Sequence, residues 1–170
     1  MQKIVSVLDQ FSNSLGRVAS WFTVAMVLVM TLIVVLRYLF QTGSIAMQES
    51  VMYLNALIFA LGAAYTLKEQ GHVRVDIFYG RLGGRSKAIV DLLGAVLFLL
   101  PAAVFVIWVS WDYVAVSWRI REGSPEASGL PFVYLLKAGI IVLALLLFVQ
   151  GISEILKSIQ CIQQAGQSKE

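Results

Sequence analysis

The sequence predicts an all-α integral membrane protein with four transmembrane helices, short interfacial helices and both termini in the cytoplasm. Three observations lead there. The charges leave four long gaps: 19 uncharged residues between Arg17 and Arg37, 18 between Glu49 and Lys68, 20 between Asp91 and Asp112, and 16 between Lys137 and Glu154. A hydrocarbon slab of about 30 Å needs roughly 20 apolar residues at about 1.5 Å each. Charged residues make up only 14% of the 170, and hydrophobic ones 59%, whereas a soluble domain averages about 25% charged. Finally, the basic residues divide unevenly between the two ends of the runs.

The reading is a single membrane domain over residues 1–163, with spans at about 18–40, 49–67, 92–118 and 132–153. Interfacial segments are placed at about 2–17 and 72–82, and a disordered tail at 164–170. The longest polar stretch, Lys68 to Asp91, is 24 residues, too short for a soluble domain beside the helices. The net charge of +3 sits next to apolar runs, which points to a membrane surface and not to nucleic acid. The lone Cys161 cannot form an internal disulfide and lies in a polar tail, so it is read as an ordinary residue.

Orientation follows from the cations. Lys3, Arg17, Lys68, Arg74, Arg81, Arg85, Lys87, Lys157 and Lys169 share one side, nine of the 13. Arg37, Arg119, Arg121 and Lys137 hold the other. The positive-inside rule puts the nine in the cytoplasm. The first run is too long for the h-region of a cleavable signal and lacks a small-residue cleavage site, so it is expected to stay as a signal anchor.

In residues 2–17 the apolar Ile4, Leu8, Phe11 and Leu15 lead to Val18 at alternating steps of four and three. That is one helical face, read as an interfacial helix or as a plain extension of span one. Span one carries Trp21 at one end and Arg37-Tyr38 at the other, both suited to headgroups. Gln41 to Ser44 is a turn. In span two, Glu49 is read as a carboxylate at the helix start, favoured by the dipole. Gly62-Ala63-Ala64 is read as a place where another helix can come close. Asn55, the sole amide inside a span, is expected to bond across helices.

The stretch after span two, Gly71-His72-Val73-Arg74-Val75-Asp76, alternates polar and apolar residues. A lone strand at a bilayer surface would leave its backbone unpaired, so a surface helix is preferred. His72, the only histidine, is read as a solvated or capping residue. Span three contains Pro101, expected to kink it. Its Trp108, Trp111 and Trp118 share a face that marks the membrane interface or a partner surface. Asp112 ends the uncharged run and is placed at headgroup level. Two glycines and two prolines structure the link from Arg119 to Pro131. Lys137 is expected to snorkel outward early in span four.

The sequence has no phosphate-cradling glycine loop, no paired-cysteine metal spacing and no nucleophile with an attendant base. Span centres lack charged groups, and no broken helix pair of the kind that builds transport sites is visible. Two other classes make demands on the sequence. A self-contained small exporter needs an acid well inside a span. A haem-bearing redox anchor needs histidines within spans. Neither feature is present.

Several residues together carry a family likeness. Arg37-Tyr38 closes span one and Glu49 opens span two, with Gly62-Ala63-Ala64-Tyr65 near its end. Gly71-His72-Val73-Arg74-Val75-Asp76 follows, then a Ser124-Pro125…Leu130-Pro131 turn before the last span. In this order, from about residue 17 to 155, the chain resembles the small membrane subunit (DctQ-like) of the tripartite ATP-independent periplasmic transporters. It departs from the family pattern at Met47-Gln48-Glu49, which has one acid and no tryptophan, and at Lys137-Ala138-Gly139, where a proline is common. The resemblance implies a non-catalytic, cofactor-free subunit of a bacterial inner-membrane importer of organic acids, driven by an ion gradient, sodium above all. It also implies a large multi-span permease subunit and a periplasmic substrate-binding protein as partners, with membrane lipid around them. The small subunit would brace the permease and help dock the binding protein. Partner contact or membrane positioning would then fall to Arg37, Tyr38, Glu49, Gly62, His72, Arg74, Asp76, Trp108, Trp111 and Trp118.

Overall fold

The computed structural model describes residues 2–71, 79 and 82–167. Over these it is all-helical, and four helices are long and apolar enough to cross a membrane. The 72–82 interfacial segment, with His72, Arg74 and Asp76, lies almost wholly outside the described residues.

Helix α1 (Gln2–Leu39) is unbroken over 38 residues, or about 57 Å. Residues 2–17 are therefore not a separate surface element but the first turns of the same rod. No proline or cap interrupts them, so the helix propagates through. Helix α2 (Ile45–Lys68) starts at an N-cap, where the Ser44 hydroxyl accepts from the Met47 amide. Glu49 is thus one turn inside the helix, not at its start. Its C-terminal residues after Lys68 close with Gly71 N bonded to Thr66 O and Gln70 N to Leu67 O, with Gln70 in left-handed backbone. That pairing is the Schellman arrangement that caps orphan carbonyls.

Helix α3 (Gly84–Ile120) begins eight residues before the predicted span, and it changes winding midway. Ala95–Leu99 form a π-turn in which Leu100 N reaches Ala95 O. Pro101 follows at once. It has no N–H to give and its ring crowds the preceding turn, and a π-turn is one way to absorb both. The same Schellman pattern, with Arg121 left-handed, ends α3. Helix α4 (Val133–Gln167) runs well past residue 153, and Ile152, Ile155, Ile159 and Ile162 follow one another along it at steps of three and four. It also takes in 164–167, the start of the tail expected to be disordered.

Helix α4 is the centre of the bundle. It packs against each of the other three, while α1 and α2 also pack against one another. The interior is made of small and polar residues. Ala19, Ala60, Ala64, Ala88, Ala95, Ala103 and Ala144 are buried, as are Ser12, Ser117, Gln150 and Ser153. Large apolar side chains point outward, Trp108 and Tyr38 at 77% exposure and Phe98 at 74%. A lipid solvent reverses the usual sorting. Leucine gains nothing by leaving hydrocarbon, so small residues that let backbones approach hold the interfaces. Gly151 is one such position. A Cβ there would stand 2.9 Å from Leu99 of the π-turn.

Candidate functional site

Among the described residues, polar groups do not gather in a cleft at the centre of the bundle. Polar residues collect instead at the two ends of the helices, and each end forms a cluster. The link end, where α1 turns into α2 and α3 into α4, is organised by Glu49. Its carboxylate accepts from the Ser124 hydroxyl and, at 2.6 Å, from the Leu130 backbone N–H. Ser124 N bonds to Leu130 O at 3.1 Å, closing the loop around that carboxylate. Gly129 is needed here because a Cβ would fall 2.7 Å from Glu49 Oε1. Glu49 is therefore the anchor by which α2 holds the α3–α4 link, and its charge is satisfied inside the chain.

Beside it, Lys137 pairs with Glu122 at 2.5 Å and lies 4.1 Å from the Tyr113 ring centroid. The lysine does not snorkel out, because an anion and an aromatic face are within reach. Its hydrogen bond holds the Glu122 carboxyl below the usual carboxylate range. Trp118 meets Tyr134 edge-on at 5.0 Å. Trp108 and Trp111 stay on the exterior with Asp112, alongside Val104 and Ile107. Arg37 and Tyr38 are also exposed. The candidates therefore separate into two groups: Glu49 is internal, while Arg37, Tyr38 and the tryptophans face outward.

The terminal end holds a second cluster, one that sequence reasoning missed. Ser12 donates to Gln150 Oε1 at 2.6 Å, and Gln150 Nε2 donates to Glu154 at 3.0 Å. Ser153 donates to Asp9 at 3.1 Å. Lys157 bridges Asp9 at 2.9 Å and Glu154 at 2.8 Å. The signal was present as spacing. Asp9 and Ser12 share one face of α1, and Gln150, Ser153, Glu154 and Lys157 share one of α4. The apolar stripe of Ile4, Leu8, Phe11 and Leu15 lies to one side of that face, with Ile4 and Phe11 exposed and Leu8 and Leu15 half-buried.

Two further expectations change. Gly62 does not admit a helix of this chain, since nothing lies within 4 Å of a Cβ built there. The close approach is made by Ala60 and Ala64, both buried, and by Gly16, where a Cβ would meet the Tyr65 ring at 2.6 Å. Asn55 makes no hydrogen bond across helices among the described residues and is exposed.

Both clusters pair their charges internally, so their chemistry is adhesive. Among the described residues no group of three or more His, Cys, Asp or Glu side chains could hold a metal ion. No curated protein and no solved structure matches the chain significantly. One family model does match, described as tripartite ATP-independent periplasmic transporters, DctQ component, over residues 26–161. That range is most of the 170-residue chain and reaches into all four spans. The chain belongs to the DctQ family, and is thus a small, non-catalytic, multi-pass subunit of a tripartite transporter in the inner membrane.

Proposed function

We propose that this subunit braces a large permease subunit of a sodium-driven organic-acid importer, with its termini in the cytoplasm and its link end helping to dock a periplasmic substrate-binding protein. One observation carries the bracing role. Ile45, Gln48, Met52, Asn55, Phe59 and Gly62 follow one another at steps of three and four along α2. The first five are exposed, with Phe59 at 67% and Met52 at 58%, and Gly62 is half-buried with nothing of the rest of the bundle within 4 Å of a Cβ built there. Asn55 is six residues from Glu49, or about 9 Å further into the membrane. An amide unbonded in hydrocarbon costs several kcal/mol. This chain supplies it no partner among the described residues, so a neighbouring subunit is the natural source. Gly62 on the same face gives a foreign helix room to approach.

The test is co-purification of the large subunit from membranes that express both. Gly62→Leu fills the proposed contact, and its Cβ has no atom of the rest of the bundle within 4 Å. It is expected to lower recovery of the large subunit by roughly tenfold, the cost of overpacking one tight helix contact. Asn55→Leu is expected to act in the same direction, more weakly, by about 0.6–2 kcal/mol. Full recovery with both variants would exclude this face. Failure of the wild-type chain to bring down any permease, together with transport by the chain alone in proteoliposomes, would sink the bracing role itself.

A further inference from the structure

We infer that the cleft between α1 and α2 at Arg17 binds the phosphate of an anionic phospholipid in the leaflet at the terminal end. The cleft has a volume of about 340 Å³ and is lined by Asn13, Gly16, Arg17 and Ser20 of α1 and by Tyr65 of α2. Its depth is set by the sequence. Arg17 is the last charged residue before 19 uncharged ones, and Arg37 is the next. At about 1.5 Å per residue that run is close to the hydrocarbon thickness, which puts each arginine at a headgroup layer. On α2, Tyr65 lies three residues before Lys68, the first charge after 18 uncharged residues, and so belongs to the same layer.

The lining fits a phosphate diester. Arg17 is exposed and makes no ion pair among the described residues, so its fork of donors is available to phosphate oxygens. Two neighbouring groups are committed elsewhere. The Ser20 hydroxyl donates to Gly16 O at 3.0 Å, and the Asn13 carbonyl oxygen accepts from Lys68 Nζ at 2.8 Å. The Asn13 contact brings a second cation to the rim, although Lys68 also pairs with Glu69. Beyond Asn13 a second cleft of about 460 Å³, which includes Lys68, continues toward the terminal end. It offers space for the polar headgroup outside the phosphate. The cleft exists because Gly16 lets the Tyr65 ring lie against the α1 backbone, which leaves the flanking polar side chains to wall an open notch. A basic pocket between helices at headgroup depth is the usual form of an anionic-lipid site.

The experiment is native mass spectrometry of the subunit purified with its permease and exchanged into mixed phosphatidylglycerol and phosphatidylethanolamine. The wild type is expected to retain phosphatidylglycerol through detergent washing, and millimolar inorganic phosphate should not displace it. Arg17→Gln should cut retention roughly tenfold, the loss of one charge-assisted contact. Tyr65→Phe keeps the ring against Gly16 and should cut it less. Arg37→Gln, at the other headgroup layer, should leave retention unchanged; helicity should be normal in all three variants, and permease recovery should be normal in Arg17→Gln and Tyr65→Phe. Equal retention by wild type and Arg17→Gln would overturn the proposal. So would an equal loss in Arg37→Gln, or equal retention of the zwitterionic lipid. Displacement by inorganic phosphate would assign the site to a soluble anion instead.

Discussion

Gln150 shows what a polar residue does in a bundle whose other contacts are small. It is almost fully buried, and it links Ser12 on α1 to Glu154 on its own helix. Truncating it strands the Ser12 hydroxyl, itself buried, without a bond. A buried unsatisfied group costs about 1–3 kcal/mol, although measured values between membrane helices fall nearer 0.6–2. Gln150→Leu keeps the bulk and removes the bonds, so it isolates the hydrogen-bonding share. It is expected to destabilise the subunit by about 1 kcal/mol in reversible SDS unfolding. Ser12→Ala with Gln150→Leu should cost little more than Gln150→Leu alone, because the stranded hydroxyl is gone. Additive losses from the two changes would count against a direct bond.

At the scale of elements, the link end is joined by one helix reaching across to the loop of another. Glu49 on α2 binds the loop between α3 and α4, and Lys137 on α4 ties Glu122 at the end of α3. The Lys137 bond lowers the Glu122 carboxyl below its ordinary value of 4.5. A depressed carboxyl stabilises the fold fully above its unfolded value, and the contribution fades as pH falls through the lower folded value. Acidification below about pH 4.5 should therefore loosen the link, and Glu122→Gln should flatten that part of the pH profile. Thermal unfolding of detergent-solubilised protein between pH 3 and 7 would show it, and an unchanged acid limb in the variant would discount the pair. The four helices themselves were legible in the sequence because charge gaps map directly onto hydrocarbon thickness. Their ends were less so. The 2–17 stripe left open a surface helix or an extension of span one, because either would carry an apolar face along the helix. In lipid such a face marks the outside, and the face that packs is Asp9, Ser12, Gly16 and Ala19. From the sequence Glu49 reads as a carboxylate at a helix start, favoured by the dipole. Its actual partners lie 75 and 81 residues away, and no local pattern encodes such a contact. The π-turn beside Pro101 was foreseen only as a kink.

For the whole molecule, four helices bring residues 2 and 167 to one end, and the nine-to-four division of cations along the chain gives the expectation that this end is cytoplasmic. The assignment matters to function. If the terminal end is cytoplasmic, the Glu49-anchored link with Trp118, Phe132 and Tyr134 faces the compartment where a substrate-binding protein diffuses. The anionic-lipid cleft at Arg17 then lies in the inner leaflet, whose surface attracts basic residues. Inversion would place the link in the cytoplasm, and it could not dock a periplasmic partner at all. The chain carries a single reporter for this choice. Cys161 is its only cysteine, is exposed, and lies near the end of α4. A membrane-impermeant maleimide is expected to label Cys161 in inside-out vesicles and to leave it unlabelled in intact spheroplasts. A cysteine placed at Ser128 in the link, in a Cys161→Ser background, should show the reverse. Labelling of Cys161 from the outside would invert the bundle and remove the docking role of the link end, yet leave its contacts with the permease within the bilayer open to the same tests.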